Sequence, residues 1–234
     1  MRVPVALVLL MCAGCASYQT PGAAVKLGEL VPADVAASSA RDPLPRFPSS
    51  FALVRVQAPD YRSASSRGYG DGRFSIVTTQ ELMTDARLQE ISGWPQVAMV
   101  SMLKPSLLPH RFDSLDDLRL AAAKLQADVL LVYSIDTRFE IGGRSYAPES
   151  DVSLGAKSVT AAAVKSHASA VLFDVRTGAS FGEVGADADL ADLAGALGSG
   201  EAVDAKRLQA ERQAFAAMLA NAQTTWSGIV SQAP

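Results

Sequence analysis

Gly178-Ala179-Ser180-Phe181-Gly182 has the glycine spacing of a nucleophile elbow. That chemistry needs a strand-to-helix turn to expose the serine and a histidine, later in the chain, to take its proton. Here both flanks of the motif have strand character, and His110 and His167 both precede Ser180. The same two histidines fall short of the three or four converging ligands that zinc requires, and no cysteine follows Cys15. Solvated or locally hydrogen-bonded imidazoles are expected at both. Asp187, Asp189 and Asp192 suggest calcium, but the stretch lacks the glycine and the closing glutamate of an EF-hand loop, so a solvated acidic segment is expected. Asp116 and Asp117 are adjacent at a helix start, where dipole capping accounts for them without acid–base chemistry. Gly68-Tyr69-Gly70-Asp71-Gly72 is too irregular for a dinucleotide fingerprint. No catalytic, cofactor-binding or metal site is assigned, and a non-enzyme without a cofactor is expected.

The bulk composition agrees with that. The chain has 234 residues, 49% hydrophobic and 19% charged, which suits one domain of ordinary size and excludes a disordered chain. A formal net charge of −3 without clustered Lys and Arg argues against nucleic acid as a partner. Both cysteines, Cys12 and Cys15, lie ahead of the body, so no disulfide framework is available to it.

Arg2 is the only charge before a short apolar run, Val3 to Met11, followed by Cys12-Ala13-Gly14-Cys15. This is a signal-peptide layout, and the run is well below the roughly 20 residues that span a bilayer as a helix. The segment resembles the lipobox of bacterial lipoproteins, which implies cleavage before Cys15 and diacylation of that cysteine as the new amino terminus. Cys12 stands where the family usually carries Leu. Met11 is too large for a cleavage site before Cys12. Ala16, where an Asp would resemble an inner-membrane retention signal, implies the outer membrane, with the body in the periplasm. Two or three acyl chains anchor far more stably than one. Loss of residues 1–14 removes one cation, Arg2, so a basic membrane-binding surface is not implied.

These readings divide the chain into a signal peptide (1–14), a lipidated cysteine and flexible tether (15–50), an α/β domain (51–230) and a tail (231–234). The tether is read from the Ala, Pro and Ser content of 16–50, and Pro45-x-x-Pro48 is taken as spacer, not as a polyproline ligand. Phe51–Val56 is expected as the first strand. Tyr61–Arg73 is expected as a mobile loop in which Arg62, Arg67, Tyr69 and Arg73 could form a small contact surface. Thr78 and Glu81 fit a capping box that opens a helix over 79–91, ended by Gly93 and Pro95. A strand at 97–100, a Pro-punctuated loop, a helix opening at Ser114 and a buried strand over 128–135 follow. The 141–153 loop precedes two strands at 159–164 and 168–175, and the Arg176-Thr177-Gly178 turn leads into another at 181–184. Residues 187–200 are read as a short helix or a partly ordered excursion. A long amphipathic helix over 202–230 carries Leu208, Phe215, Leu219, Ala222, Trp226 and Ile229 on one face, with Lys206, Arg207, Glu211, Arg212 and Gln213 on the others. That stripe is expected to pack across the sheet and not to recruit a partner helix. The fold class is α/β (α+β), a single mixed sheet with helices packed on it.

Two segments carry a further likeness, Ala123-Lys124-Leu125-Gln126-Ala127-Asp128-Val129-Leu130-Leu131-Val132 and the turn Asp174-Val175-Arg176-Thr177-Gly178. With the element order, they resemble the α/β domain shared by the curli-secretion lipoprotein, penicillin-binding-protein activator lipoproteins and the amino-terminal domain of the Tol-Pal propeller protein. Within that group the chain looks most like the rhombotarget lipoproteins, over Phe51 to Val230. No sorting tail is read after Val230, so rhomboid-type processing is not implied. The resemblance brings no catalytic residues; it implies binding of envelope proteins or oligomer formation. The leading expectation is therefore a lipid-anchored periplasmic adaptor with an envelope protein as partner. The alternative is a self-assembling secretion component, for which Leu154–Val175 is the only region long enough for membrane-spanning strands of roughly 9–11 residues. That region places Lys157, Lys165 and His167 in the candidate wall and lacks aromatic girdle residues.

Overall fold

The β-branched and aromatic run at 49–57 becomes an inner strand of a sheet with different helices on its two faces. The computed structural model describes residues 16–30, 45–155 and 159–233. The strands in chain order are β1 (Ser17–Gln19), β2 (Ser49–Gln57), β3 (Gly68–Tyr69), β4 (Asp71–Gly72), β5 (Ser75–Val77), β6 (Val97–Met102), β7 (Arg111–Phe112), β8 (Val129–Ile141), β9 (Arg144–Tyr146), β10 (Asp151–Ser153), β11 (Ala162–Asp174) and β12 (Ser180–Leu190). Among the described residues three α-helices accompany them, α1 (Asp85–Ser92), α2 (Leu115–Lys124) and α3 (Gly200–Ser231).

The main sheet has eight strands in the order β12-β11-β8-β2-β5-β3, with β6 also on β2 and β9 also on β8. It is mixed: β2 runs parallel to β6 and β8, while β11 is antiparallel to both β8 and β12. Strand alternation then sorts the side chains. Ala52, Val54, Val56, Leu130, Val132, Val171 and Phe173 meet α2 through Leu115, Leu118, Ala121 and Ala122. Phe51, Leu53, Leu131, Tyr133, Ile135, Ala170 and Leu172 meet α3 through Ala214, Phe215, Met218, Leu219, Ala222 and Trp226, with Ile91 of α1 on the same side. The expected mixed sheet with packed helices is thus the observed architecture, and the α3 stripe is core. At 1.5 Å per residue α3 is about 48 Å long, enough to cover β8 and β11 from end to end.

Several boundaries move, for physical reasons. Thr78 does not cap a helix; the Glu81 carboxylate accepts from Ser66 Oγ at 2.7 Å, Leu82 and Met83 are buried ahead of the helix, and α1 begins at Asp85 after Thr84. The two strands expected at 159–164 and 168–175 are one continuous strand, because His167 points from the exposed face without interrupting the ladder to β8. Residues 187–190 extend β12, and Leu193, Ala196 and Leu197 are buried in a short 3-10 turn, so 187–200 is no solvated excursion. The 61–73 loop is pinned by buried Tyr61, by β3 on β5 and by β4 on β7. In the 141–153 loop, Gly142 and Gly143, both at positive φ, turn β8 back into β9 as a hairpin.

The largest correction concerns the tether. Residues 16–30 are part of the folded body: β1 pairs with β10, Tyr18 is buried against Phe139, and Leu27 and Leu30 join the α2-side core. Residues 45–50 lead directly into β2. Low aromatic content and many Ala and Pro residues gave the appearance of spacer, but a few apolar side chains at the right places suffice once a body supplies the complementary surface.

The α2 start follows its sequence signature, with Ser114 and Asp117 forming a capping box. The turn after β11 is equally local. Asp174 Oδ1 accepts from Thr177 N at 2.6 Å and Thr177 Oγ1 at 2.9 Å, and Gly178 closes the turn at φ +78°. A Cβ on Gly178 would stand 2.9 Å from Arg119 Nη1, whose guanidinium donates to the Val175 and Arg176 carbonyls. Gly178→Ala is therefore expected to destabilise by about 1–3 kcal/mol, combining left-handed strain with displacement of Arg119. Urea denaturation checks this, and an unchanged midpoint would show the turn to be slack.

Candidate functional site

A buried ionic cluster lies where β1, β2, the 61–66 segment, β8 and α3 meet. Arg207 Nε is 2.7 Å from Asp204 Oδ1, and its Nη1 stands 2.9 Å from Glu211 Oε1 at an angle short of a hydrogen bond. Arg55 Nη2 lies 3.8 Å from Glu211 Oε2 and donates to Tyr61 Oη at 3.1 Å. Thr137 Oγ1 donates to Glu211 Oε1 at 3.0 Å, Tyr18 Oη to Asp204 Oδ1 at 2.9 Å, and Arg207 Nη2 to Ser65 Oγ at 2.9 Å. Arg55, Arg207 and Glu211 are each at most 1% exposed. Burial opposes charge on both guanidiniums, yet both are held above the ordinary range, Arg55 by Tyr61 and Glu211, Arg207 by Glu211 and Asp204. Burial pushes Tyr133 up to about 12 and raises Tyr18 and Tyr61 as well, so these phenols stay protonated; Tyr18 donates to Asp204, while Tyr61 accepts from Arg55. Two guanidiniums and two carboxylates make the cluster neutral overall. Arg55, Arg207 and Glu211 are sealed from solvent, Asp204 is partly exposed, and the cluster joins five elements of the fold.

Arg207 and Glu211 were expected on the solvated faces of the last helix. They are instead on its buried face, because 203, 207, 210, 211, 214, 215, 218, 219, 222 and 226 follow one another at helical spacing. A ten-member stripe containing an Arg and a Glu four apart, with an Arg in an otherwise apolar strand, was the available signal.

The exposed candidate is the distal half of the sheet on the side away from α3. Asp136, Arg138 and Glu140 of β8, Lys165, His167 and Ser169 of β11, and Glu183, Asp187 and Asp189 of β12 share this face through their registers. Nearer the Val129 end, α2 and the 3-10 turn at Leu27–Leu30 cover the same face; beyond them Asp136, Arg138, Lys165, His167, Asp187 and Asp189 line an open depression. Arg138 pairs with Asp136 at 2.9 Å, Lys165 with Glu140 at 2.9 Å and with Asp189 at 3.8 Å, and His167 Nδ1 with Asp187 at 2.8 Å. The neighbouring carboxylates, Glu140 first, raise the Lys165 ammonium. Such exposed pairs contribute little to stability. They form a shallow depression of about 640 Å³ with fixed alternating charges, a surface that can select a polar partner by complementarity.

A second opening, about 770 Å³, lies at the opposite end of the strands between α2 and the turn after β11. Arg119 is engaged internally, with Asp116 and two carbonyls, while Leu120 is 63% exposed at its rim.

The motif residues are not brought together for chemistry. Ser180 pairs with Phe173 and Asp187 with His167, so the serine lies six residues, roughly 20 Å, along the sheet from the His167–Asp187 pair. His110 is beside Asp71 at 3.3 Å and Tyr69, on another part of the surface. Asp187, Asp189 and Asp192 each face a separate basic partner, the His167 imidazole, Lys165 and Lys206. Lys206 lowers the Asp192 carboxyl. Among the described residues no group of three His, Cys, Asp or Glu converges as metal ligands. Cys12, Cys15 and the expected signal peptide at 1–14 lie outside the described residues. No protein-family model, curated protein or solved structure gives a match to this chain.

Proposed function

We propose that this chain is a lipid-anchored, protein-binding adaptor of the bacterial outer membrane, attached through acylated Cys15 with its body in the periplasm. The observation that carries the binding role is the open end of this sheet face, where Asp136, Arg138, Lys165, His167, Asp187 and Asp189 on three adjacent strands line an exposed depression. The Cys12-Ala13-Gly14-Cys15 pattern supports the anchor. No described helix is long and apolar enough to cross a membrane.

Two measurements in cells test this reading. Cys15→Ala is expected to move the protein from the membrane pellet to the soluble fraction and to abolish acyl-chain mass on the amino-terminal peptide. A photo-crosslinker at Arg138 or Lys165 is expected to give a discrete heavier adduct, absent when the probe replaces Gln213 on the exposed side of α3. Equal adducts from both sites, or none, would sink the binding role. A ladder at multiples of the chain mass would favour the self-assembling secretion component. In this fold, however, β11, which makes up most of the 154–175 region, is an inner strand with neighbours on both sides.

A further inference from the structure

The segment next to Cys15 is fixed to the body from its first residue. The Ala16 carbonyl accepts from Leu154 N at 2.9 Å, Ser17–Gln19 pairs with Asp151–Ser153, and Thr20 both donates to Ala147 O and accepts from Ser150 N at 2.8 Å. Tyr18 is 4% exposed, packs on Phe139 and reaches Asp204 of the buried cluster. Consecutive Cα atoms are about 3.8 Å apart across a trans peptide, so Cys15 has one peptide bond of freedom before the chain is held.

From this the geometry points to a membrane-facing end of the molecule: the β1–β10 ribbon with the start of α3 rests directly on the lipid headgroups, without a spacer. This rests on the acylation of Cys15 proposed above. Lipid chains on Cys15 would bring Ala16, Ser153, Leu154 and Gly155 within roughly 10 Å of the headgroup layer, given the length of one cysteine side chain and one peptide unit. The exposed residues around that point suit such a position. Ala16, Ser17, Gln19, Ser153, Gly155, Gly198 and Ser199 are small or uncharged, and Gly155 N is bonded to Leu197 O, which ties the ribbon to the turn before α3. Among the described residues the exposed charges around that point are mixed, Asp151 and Glu201 with Arg62 across the same opening, and form no basic patch, so acyl chains, not phosphate attraction, must hold this end.

The consequence is orientation. Ile141 and Ala162 lie at the Tyr18 end of the sheet, in the same apolar cluster, and β11 runs from there to Asp174. Twelve steps at about 3.3 Å place the Asp174 turn and the Leu120 cleft some 40 Å away along the strand. The end carrying Leu120 and Arg176 is then the one turned away from the bilayer, and the charged sheet face lies between the two ends.

The body contains no cysteine, so single thiols can be introduced cleanly. Full-length acylated protein carrying Ser153→Cys or Arg176→Cys, labelled with a fluorophore, is reconstituted in phosphatidylethanolamine–phosphatidylglycerol vesicles containing a headgroup quencher. The Ser153 label is expected to be quenched at least about threefold more than the Arg176 label. Inserting 20 Gly/Ser residues between Cys15 and Ala16, with an r.m.s. span of about 25 Å, should bring the two labels together. Equal quenching without the insertion, in protein that floats with the vesicles, would overturn the orientation while leaving the anchor intact. Failure to float, with no acyl mass on Cys15, would overturn both.

Discussion

Glu211→Ala is expected to cost about 3–5 kcal/mol of folding stability, the range for breaking a buried ion pair from one side. The carboxylate lies between Arg55 and Arg207 and accepts from Thr137 Oγ1. Its removal leaves two guanidiniums, each at most 1% exposed, with Asp204 as the only remaining carboxylate in the cluster, and Arg55 keeps only its bond to Tyr61. Arg55 Nε and Nη1 have no hydrogen-bond partner even in the intact cluster, so that side chain has little in reserve. Since net stability of a domain is only about 5–15 kcal/mol, the variant should lose a large share of it. Glu211→Gln keeps an acceptor for Thr137 while removing the charge and should be nearly as damaging, whereas Glu201→Ala on the exposed start of α3 should change little. Urea denaturation followed by far-ultraviolet circular dichroism measures all three. A loss below 1 kcal/mol for Glu211→Ala would mean that water or a rearranged Asp204 satisfies the two cations.

A chain beginning at Pro45 should be at least about 3 kcal/mol less stable than one beginning at Ala16. The missing segment holds Tyr18, Leu27 and Leu30, each at most 7% exposed, and burying a large apolar side chain contributes about 1.5–3 kcal/mol. Ordering of the segment offsets part of that. Its loss also uncovers groups that stay behind. Gln57 Nε2 donates to Ala23 O, Ser134 Oγ accepts from Val25 N, and Asp204 loses Tyr18, so buried polar atoms would be stranded. Equal urea midpoints for the two chains would return residues 16–30 to the role of a spacer and remove the basis for a fixed membrane-facing end.

The elements that were legible share a property: their cause is local. The α2 capping box, the Asp174–Gly178 turn and the apolar run of β8 each depend on residues within a few positions of one another, and each is where its sequence signature puts it. The α1 start was displaced because Glu81 has a rival partner, Ser66, fifteen residues away, and a capping pattern does not reveal competitors. The strand break at 165–167 was misread because polar residues were taken as a gap. Where one face of the sheet is locally bare, Lys165 and His167 are the outward half of an uninterrupted alternation.

By itself the sequence determined the fold class, since alternation at period two and stripes at helical spacing select strands and helices before any long-range contact forms. It also supplied the cysteine on which the anchor reading depends. Only the tertiary structure decided which polar residues are buried, because Arg55, Tyr61, Thr137, Glu211 and Tyr18 are as much as 193 positions apart and meet only when five elements converge. The same convergence decided that residues 16–30 belong to the body. Whether a weakly apolar segment packs or stays in solvent depends on the surface offered to it, and that surface does not exist until the sheet and α3 have assembled.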